Sequence, residues 1–300
     1  MRLSEVVHIL DGKLVSDGDF STLNYCTAES NVAFLTFLED RRFIDQINNN
    51  ECISCILCNE ELKNQILRKH HYGLFITKEP KAAFHTIHNS LMNNIDYCLP
   101  SYKTSIGENC KLSPLSYIAP NNVLIGNNVT IGEFVVINEH ISIGDNCSIH
   151  SGTTIGGKSF TFTRSGTDEV LGMCDMGQVI LEDNVEIYSN CHIARGTLPT
   201  DCTIIGSNSK LDVMVHVGHG TKIGRRAFIA AGAQLCGNTV IGDDVWVGVN
   251  ATVSNRLIIG DKARISLGAV VTKNVPNGET VTGNFAINHK QFIYKLKQSL

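Results

Sequence analysis

The 300-residue sequence has no basic cluster. A formal net charge of −4 and a sequence pI near 6.2 leave no positive footprint for nucleic acid, and no run of Lys or Arg offers a patch for a membrane surface. No stretch of about eighteen apolar residues that could cross a bilayer occurs. The opening Met1-Arg2-Leu3-Ser4-Glu5 carries acid early and lacks the apolar run and small-residue cleavage site of a secretory signal, so a cytoplasmic location is expected. A disulfide framework is also missing: eleven cysteines, an odd number scattered through the chain, read as reduced thiols. Cys52, Cys55 and Cys58 form a C-x2-C-x2-C run, but in an apolar, partly β-branched segment where a strand turns Cys55 away from its two neighbours. With no second cysteine pair at zinc-finger spacing, buried structural thiols and no metal are expected there.

What the sequence does have is a period of six. An aliphatic residue recurs at Ile106, Leu112, Ile118, Ile125, Ile131, Ile137, Ile143, Ile149 and Ile155, with one seven-residue step before Ile125. A second block runs through Leu181, Ile187 and Ile193, then every sixth residue from Ile205 to Val271, broken only around Pro199. An amphipathic helix repeats its apolar face at three and four residues and helical solenoids at 30 to 50, so neither fits. Hexapeptide β-helix repeats do. Each unit supplies a short strand and a corner, three units close a triangular coil, and residues 18 apart become vertical neighbours about 4.8 Å apart. Gly and Asn after the anchors, as in Ile125-Gly126-Asn127-Asn128 and Ile241-Gly242-Asp243-Asp244, supply corners that need tight or left-handed backbone.

The expected architecture is mainly β: a left-handed parallel β-helix over 101–284, a small N-terminal α/β domain over 1–100, and a short C-terminal tail helix within 285–300. The hand is not fixed by the period and comes from the hexapeptide family. Between 156 and 179 the period stops, which predicts a loop projecting from a corner, functional or simply a covering flap.

The segments Gly177-Gln-Val-Ile-Leu-Glu-Asp-Asn-Val-Glu-Ile-Tyr-Ser-Asn190, Ile193-Ala-Arg-Gly196 and Lys210-Leu-Asp-Val-Met-Val-His-Val-Gly-His219 closely resemble the UDP-3-O-acylglucosamine N-acyltransferases of lipid A synthesis. Ile155-Gly156 and Phe160-Thr-Phe162 look like that family's insertion, and Leu35-Thr-Phe-Leu-Glu-Asp-Arg-Arg-Phe43 is similar to its uracil-binding segment. The resemblance implies that His219 is the catalytic base, that Asp212 supports it, and that the Gly237 backbone N–H, one coil on, serves the oxyanion. Imidazole suits the proton task because it titrates near neutral pH. In a variant, the departing thiolate takes the proton itself. The same resemblance places Phe37 and Phe43 against a pyrimidine base, with Asp40 between them, and puts Phe160, Phe162 and Arg256 in the acceptor or donor groove; His216, three residues before His219, is expected in or near that groove. Read without it, His219 is an exposed corner residue, Asp212 a corner Asp bonded to its own backbone, and the two Phe a core pair.

Two departures from the family modify the expectation. Asn255-Arg256 stands where the family has Gly-His, and Gly268 to Asn284 resembles the closing coil of coenzyme A-dependent sugar acetyltransferases. The resemblance thus implies an N-acyltransferase for surface polysaccharide synthesis, moving an acyl group from acyl-CoA to a UDP- or dTDP-linked amino sugar. Lys273 and Arg264 would meet CoA phosphates, no cofactor would be bound, and the assembly would be a homotrimer. The alternatives are the lipid A enzyme itself, with an acyl carrier protein as donor, and a β-helix carbonic anhydrase using His192, His216 and His219 on zinc. A non-catalytic sugar-binding scaffold is a further reading.

Overall fold

A computed structural model of the chain describes residues 1–67, 71–166, 168–283 and 286–298. These fall into two units: Met1–Tyr102 with Lys158–Gln178 and Arg195–Cys202, and Lys103–Gly157 with Val179–Ala194 and Thr203–Leu300.

In the first unit, apolar and β-branched runs form β1 (Lys13–Ser16), β2 (Thr22–Leu23), β3 (Phe34–Leu38), β4 (Ile53–Cys58) and β5 (Gly73–Ile76), joined in the order β1-β5-β4-β3-β2. Only β1 runs antiparallel to its neighbour; the β5-β4-β3-β2 pairs are parallel, with helix α1 (Leu3–Val7) before β1, α2 (Ile44–Asn49) between β3 and β4, and α3 (Pro80–Ser90) after β5. Alternation along β3 and β4 divides the core in two. Leu35, Cys55 and Leu57 pack with Leu3, Phe84 and Ile87, while Phe34, Leu38, Ile56 and Cys58 pack with Ile47. Cys55 therefore faces one cluster and Cys52 and Cys58 the other, as strand parity requires. Burial pushes Cys55 up to about 11 and Cys58 up to about 12, which keeps both as inert thiols.

The segment expected as a projecting loop is an antiparallel hairpin, β6 (Phe162–Ser165) with β7 (Glu169–Gly172), packed on α3. Helix side chains hold it by its backbone. His88 bridges the Cys174 carbonyl (2.8 Å) and the Tyr97 hydroxyl (2.7 Å), and Asn89 donates to the Gly172 carbonyl and accepts from the Cys174 N–H. Glu79 accepts from the Ser165 hydroxyl (2.6 Å) and the Gly166 N–H (2.7 Å). A second departure, residues 195–202, showed in the sequence only as the break around Pro199.

The second unit is a parallel β-helix of three sheets. The first face holds eight strands, among them Val240–Ile241; the second nine, among them Trp246–Val247; the third eight, among them His216–Val217. Paired strands place Ile131 between Leu112 and Ile149, and Val217 between Ile193 and Leu235, so the hexad anchors stack as ladders. From Ile125 to Val271 the anchors are buried; Ile106, in the first coil, is 46% exposed. Each buried aliphatic side chain contributes about 1.5–3 kcal/mol.

A second inward position, two residues before each anchor, was not read from the sequence. It takes mostly small or β-branched residues, Val129, Cys147, Val185, Cys191, Ser209, Ala227 and Thr239 among them, all buried, with Ile141 and Leu257 the larger exceptions. The scattered cysteines find their reason here. Cys147 and Cys191 donate to the Glu182 and Asp212 carbonyls of the next coil as Ser209 and Thr239 donate to those of Gly224 and Ser254, so thiol and hydroxyl are interchangeable in this ladder.

Corners carry the left-handed residues. Asn128, Asn146, Asn184, Asn208 and Asp244 on the edge between the first and second faces have φ between 56 and 64°. On the same edge a carboxylate or carboxamide caps the coil before it: Asp145 accepts from the Asn127 N–H (2.7 Å), Asp243 from Arg225 and Asp261 from Asp243 (both 2.8 Å). Helix α4 (His289–Gln298) forms the tail, and Asn284 and residue 285, the expected junction of coil and tail, lie outside the described residues, as do 299 and 300. Among the described residues no helix is long and apolar enough to cross a membrane.

Candidate active site

One edge of the β-helix collects the chemistry. Strand His216–Val217 of the third face ends in the corner Gly218-His219-Gly220-Thr221 before Lys222–Ile223 of the first face. Gly220, with φ +66°, takes the left-handed turn there, and the next coil repeats it as Cys236-Gly237-Asn238-Thr239, with Asn238 donating to the His219 carbonyl at 2.7 Å. His219 is half-buried, its ring lying against Gly237: a Cβ built at Gly237 would stand 2.7 Å from Nε2. Only hydrogen leaves room for that seat. On the edge between the first and second faces, the residue at this place in the coil has its N–H capped by a side chain of the following coil, as Arg225 has by Asp243. Asn255, which would cap Gly237, turns its Oδ1 to the Ser254 hydroxyl instead, and among the described residues the Gly237 N–H meets no acceptor. A half-buried imidazole and an unclaimed amide thus share one edge, one coil apart.

Beside them the third face carries two further imidazoles. His192 and His216 are ladder partners, and their rings stack with centroids 5.3 Å apart and an interplanar angle of 17°. Burial holds both below the ordinary imidazole value, and repulsion from the His192 and His219 rings lowers His216 further. Both therefore favour the neutral form near neutral pH.

The remaining expected residues are dispersed. Asp212 lies one edge earlier than His219, because seven residues cover one strand and one corner. Its Oδ1 accepts from the Val213 N–H at 2.7 Å, and it lines an open groove of about 400 Å³ on the second face with Tyr188, Lys210, Phe228 and Trp246. Within one chain the aspartate and His219 therefore stand at different corners. Arg256 (φ +61°) and Lys273 follow on the His219 edge, one and two coils above Gly237, both exposed. Arg264 lies on the second face with its guanidinium 5.5 Å over the Trp246 ring, so it does not join Lys273.

In the first unit, Phe37 packs with Tyr25 and Phe84 (centroids 6.3 and 5.1 Å), whereas Phe43 packs against the cluster on the α2 side. Among the described residues no ring contact joins the two. Asp40 accepts from the Arg42 backbone N–H (2.9 Å) and pairs with its guanidinium, which holds the carboxyl below the usual range. Phe160, 93% exposed, meets Phe162 edge-on at 5.0 Å on the hairpin segment.

Sequence reading named His192 only as a zinc ligand and missed its stack. The signal was present: 24 residues separate it from His216, one coil of 18 plus the six added at 195–202. Parallel stacked rings direct their nitrogens side by side rather than toward a common point, and among the described residues no three His, Cys, Asp or Glu group as metal ligands.

Two family models match the chain: the bacterial transferase hexapeptide, six repeats, over residues 122–157 and 202–237, and the hexapeptide repeat of succinyl-transferase over 238–273. A UDP-3-O-acylglucosamine N-acyltransferase of a Caulobacter species is 39% identical over 134 residues, 45% of this chain and 38% of the relative. That of Caulobacter vibrioides is 56% identical over 115 residues, 37% of this chain and 33% of the relative. The matches cover only 24% to 38% of the length of the curated relatives. Among solved structures, a UDP-N-acetylglucosamine acyltransferase of Bacteroides fragilis aligns with a TM-score of 0.54 at 26% identity, covering 68% of this chain and 76% of that one. The six-residue period, the three-faced parallel β-helix and these matches together identify bacterial transferase hexapeptide repeats over residues 122–157 and 202–273.

Proposed function

We propose that the chain is an N-acyltransferase that moves an acyl group from acyl-CoA to the amine of a UDP- or dTDP-linked amino sugar, for surface polysaccharide synthesis. The observation that carries this reading is the His219 ring seated against Gly237, with the Gly237 N–H unclaimed. Aminolysis of a thioester needs those two groups. The sugar amine attacks the carbonyl carbon, His219 takes the amine's excess proton, and the oxyanion rests on the Gly237 N–H. Collapse breaks the C–S bond, and the thiolate leaves with the proton returned by His219. Support for a nucleotide-sugar acceptor comes from the relatives' names, each an acyltransferase acting on a UDP-linked sugar.

The site is read as shared between copies of a homotrimer, which offers a partner for Asp212. Since Asp212 and His219 occupy different corners of one chain, an aspartate that reaches His219 comes from a neighbouring copy. Nucleotide stacking is assigned to Phe37 and Phe43 by resemblance; here the two rings pack into separate clusters, so a base would contact one of them or require Phe43 to move.

Release of free thiol from acyl-CoA, in the presence of UDP- and dTDP-amino sugars, is the test. His219→Ala should lower turnover about 10²–10⁴-fold without loss of fold; near-normal turnover removes His219 as the base and leaves the proton to the thiolate. The relatives' names favour a second reading, the lipid A enzyme with a hydroxyacyl chain on acyl carrier protein. Turnover with that donor and none with acyl-CoA selects it.

A further inference from the structure

Helix α4 brings cations and exposed apolar side chains together, and acyl transfer at His219 does not use it. The sequence has no run of Lys or Arg, so the gathering is made by the helix. Successive helical residues are turned by about 100°. Phe292 and Ile293 therefore flank one face; Lys295 borders it beside Phe292, and Lys290 and Lys297, two turns apart, border it beside Ile293. Gln291, Tyr294 and Gln298 stand opposite. All three lysines are exposed, and residues 280–300 hold no Asp or Glu. A helix that packs on its own domain buries its apolar face. Here Phe292 is 52% exposed and Ile287, just ahead of the helix, 40%.

Charge in the second unit is distributed in the same sense. Lys103–Gly157 and Val179–Ala194 carry two Lys and Arg against seven Asp and Glu, whereas Thr203–Leu300 carries eleven against five. Arg225 and Arg226 are answered by Asp243 and Asp244, so the excess includes Lys262 and Lys273, exposed on the last coils. Helix α4 begins eight residues after the last rung, Thr280–Val281. An acidic protein would need only the cations. An apolar strip between two borders of lysine matches a surface that is anionic at its face and apolar just beneath, where lysine stems reach back to the headgroups while Phe292 and Ile293 enter below them. We infer that α4 is a peripheral membrane anchor that docks the basic end of the β-helix on an anionic phospholipid surface. The inference does not rest on the acyl-transfer reading. A helix of ten residues binds weakly alone. In the homotrimer proposed above three copies would engage one surface, and the second and third contacts become intramolecular.

Flotation of the full-length protein with vesicles tests this, using about 30% phosphatidylglycerol in phosphatidylcholine against pure phosphatidylcholine. Wild type should float with the anionic vesicles. Binding should be roughly 10-fold or more weaker on neutral vesicles, and likewise at about 1 M salt, where the Debye length falls to about 3 Å. A triple variant, Lys290→Gln with Lys295→Gln and Lys297→Gln, should lose the binding while keeping its thermal midpoint and its thiol release. Phe292→Ser should weaken binding roughly 10-fold, the worth of one buried aromatic ring. Phe292→Trp should keep it; since Trp246 is the chain's single tryptophan, added emission that moves to the blue on vesicles reports that this face has entered the lipid. Wild type that does not float at low salt overturns the inference, as does unchanged flotation of the triple variant or Phe292→Trp emission that stays in place. Anisotropy with labelled acyl carrier protein separates the other occupant: binding to it through the same lysines, without vesicle binding, assigns the surface to an acidic protein and overturns the anchor. Vesicle binding by a protein that releases no thiol from any acyl-CoA leaves the anchor standing and faults the acyl-transfer reading.

Discussion

At the scale of single residues, the site depends on what glycine lacks. His219 Nε2 occupies the volume a Cβ at Gly237 would fill, so ring position and amide position are set by one contact. Gly237 is not in the left-handed region, which separates two effects that glycine substitution usually mixes. Gly237→Ala should leave the backbone unstrained, keep the thermal midpoint within a few degrees, and push the imidazole aside. Turnover is then expected to fall about 10²–10³-fold, the usual loss when an oxyanion donor and its base are misaligned. Unchanged kcat with an ordinary melt would show that the seat is packing alone. Gly220 and Gly232, at φ +66° and +68°, serve as contrasts: alanine there should lower the midpoint through backbone strain.

At the scale of elements, anchors at every sixth residue made the strands of the β-helix legible, and the Gly-Asp and Asn-Asn pairs made most corners so. Hidden were features set by nonlocal partners. Small residues two before each anchor form the inner ladder, but Val, Cys, Ser, Ala and Thr share it and no composition marks them. Arg226, Arg256, Met214 and Phe134 hold φ between 55 and 61°, positions a sequence reader gives to Asn or Gly. The hairpin β6–β7 was masked for another reason: Glu79, His88 and Asn89, which hold it, lie some eighty residues away at the N-cap and in the last turns of α3. The same helix makes the first unit sensitive to acid. His85 is fully buried, and burial, with repulsion from Lys81 and His88, brings it down from 6.5 to about 4. Above pH 6.5 neither the folded nor the unfolded state carries that proton. As pH falls from 6.5 toward 4 the unfolded chain takes it up first, so stability is lost on the order of 3 kcal/mol through that window. Burial depresses His88 in the same direction and adds to the slope. Melts of the wild type should therefore drop between pH 7 and 4.5, and His85→Leu should drop less; an equal drop would assign the acid sensitivity elsewhere.

At the scale of the whole molecule, the proposed reaction asks how an Asp212 and a His219 that stand at successive corners would act together. A β-helix is rigid across its coils, since every rung is bonded above and below, so no hinge brings one corner to another within a chain. On the proposed trimeric reading, association around a closed axis would do so without strain, each copy offering its His219 edge to the next copy's groove, where Asp212 lies beside Lys210 and Trp246. Mixing variants tests this directly. His219→Ala and Asp212→Ala subunits, each nearly inactive alone, are co-expressed in equal amounts and assayed for thiol release. With random trimers, about a quarter of the interfaces pair an intact histidine from one copy with an intact aspartate from the next, so activity should return toward about 25% of wild type. A site built inside one chain predicts none, because every subunit in the mixture lacks one of the two groups. Activity that stays at the level of the separate variants would therefore place Asp212 outside the reaction of any neighbour and return it to the corner bond it makes with Val213.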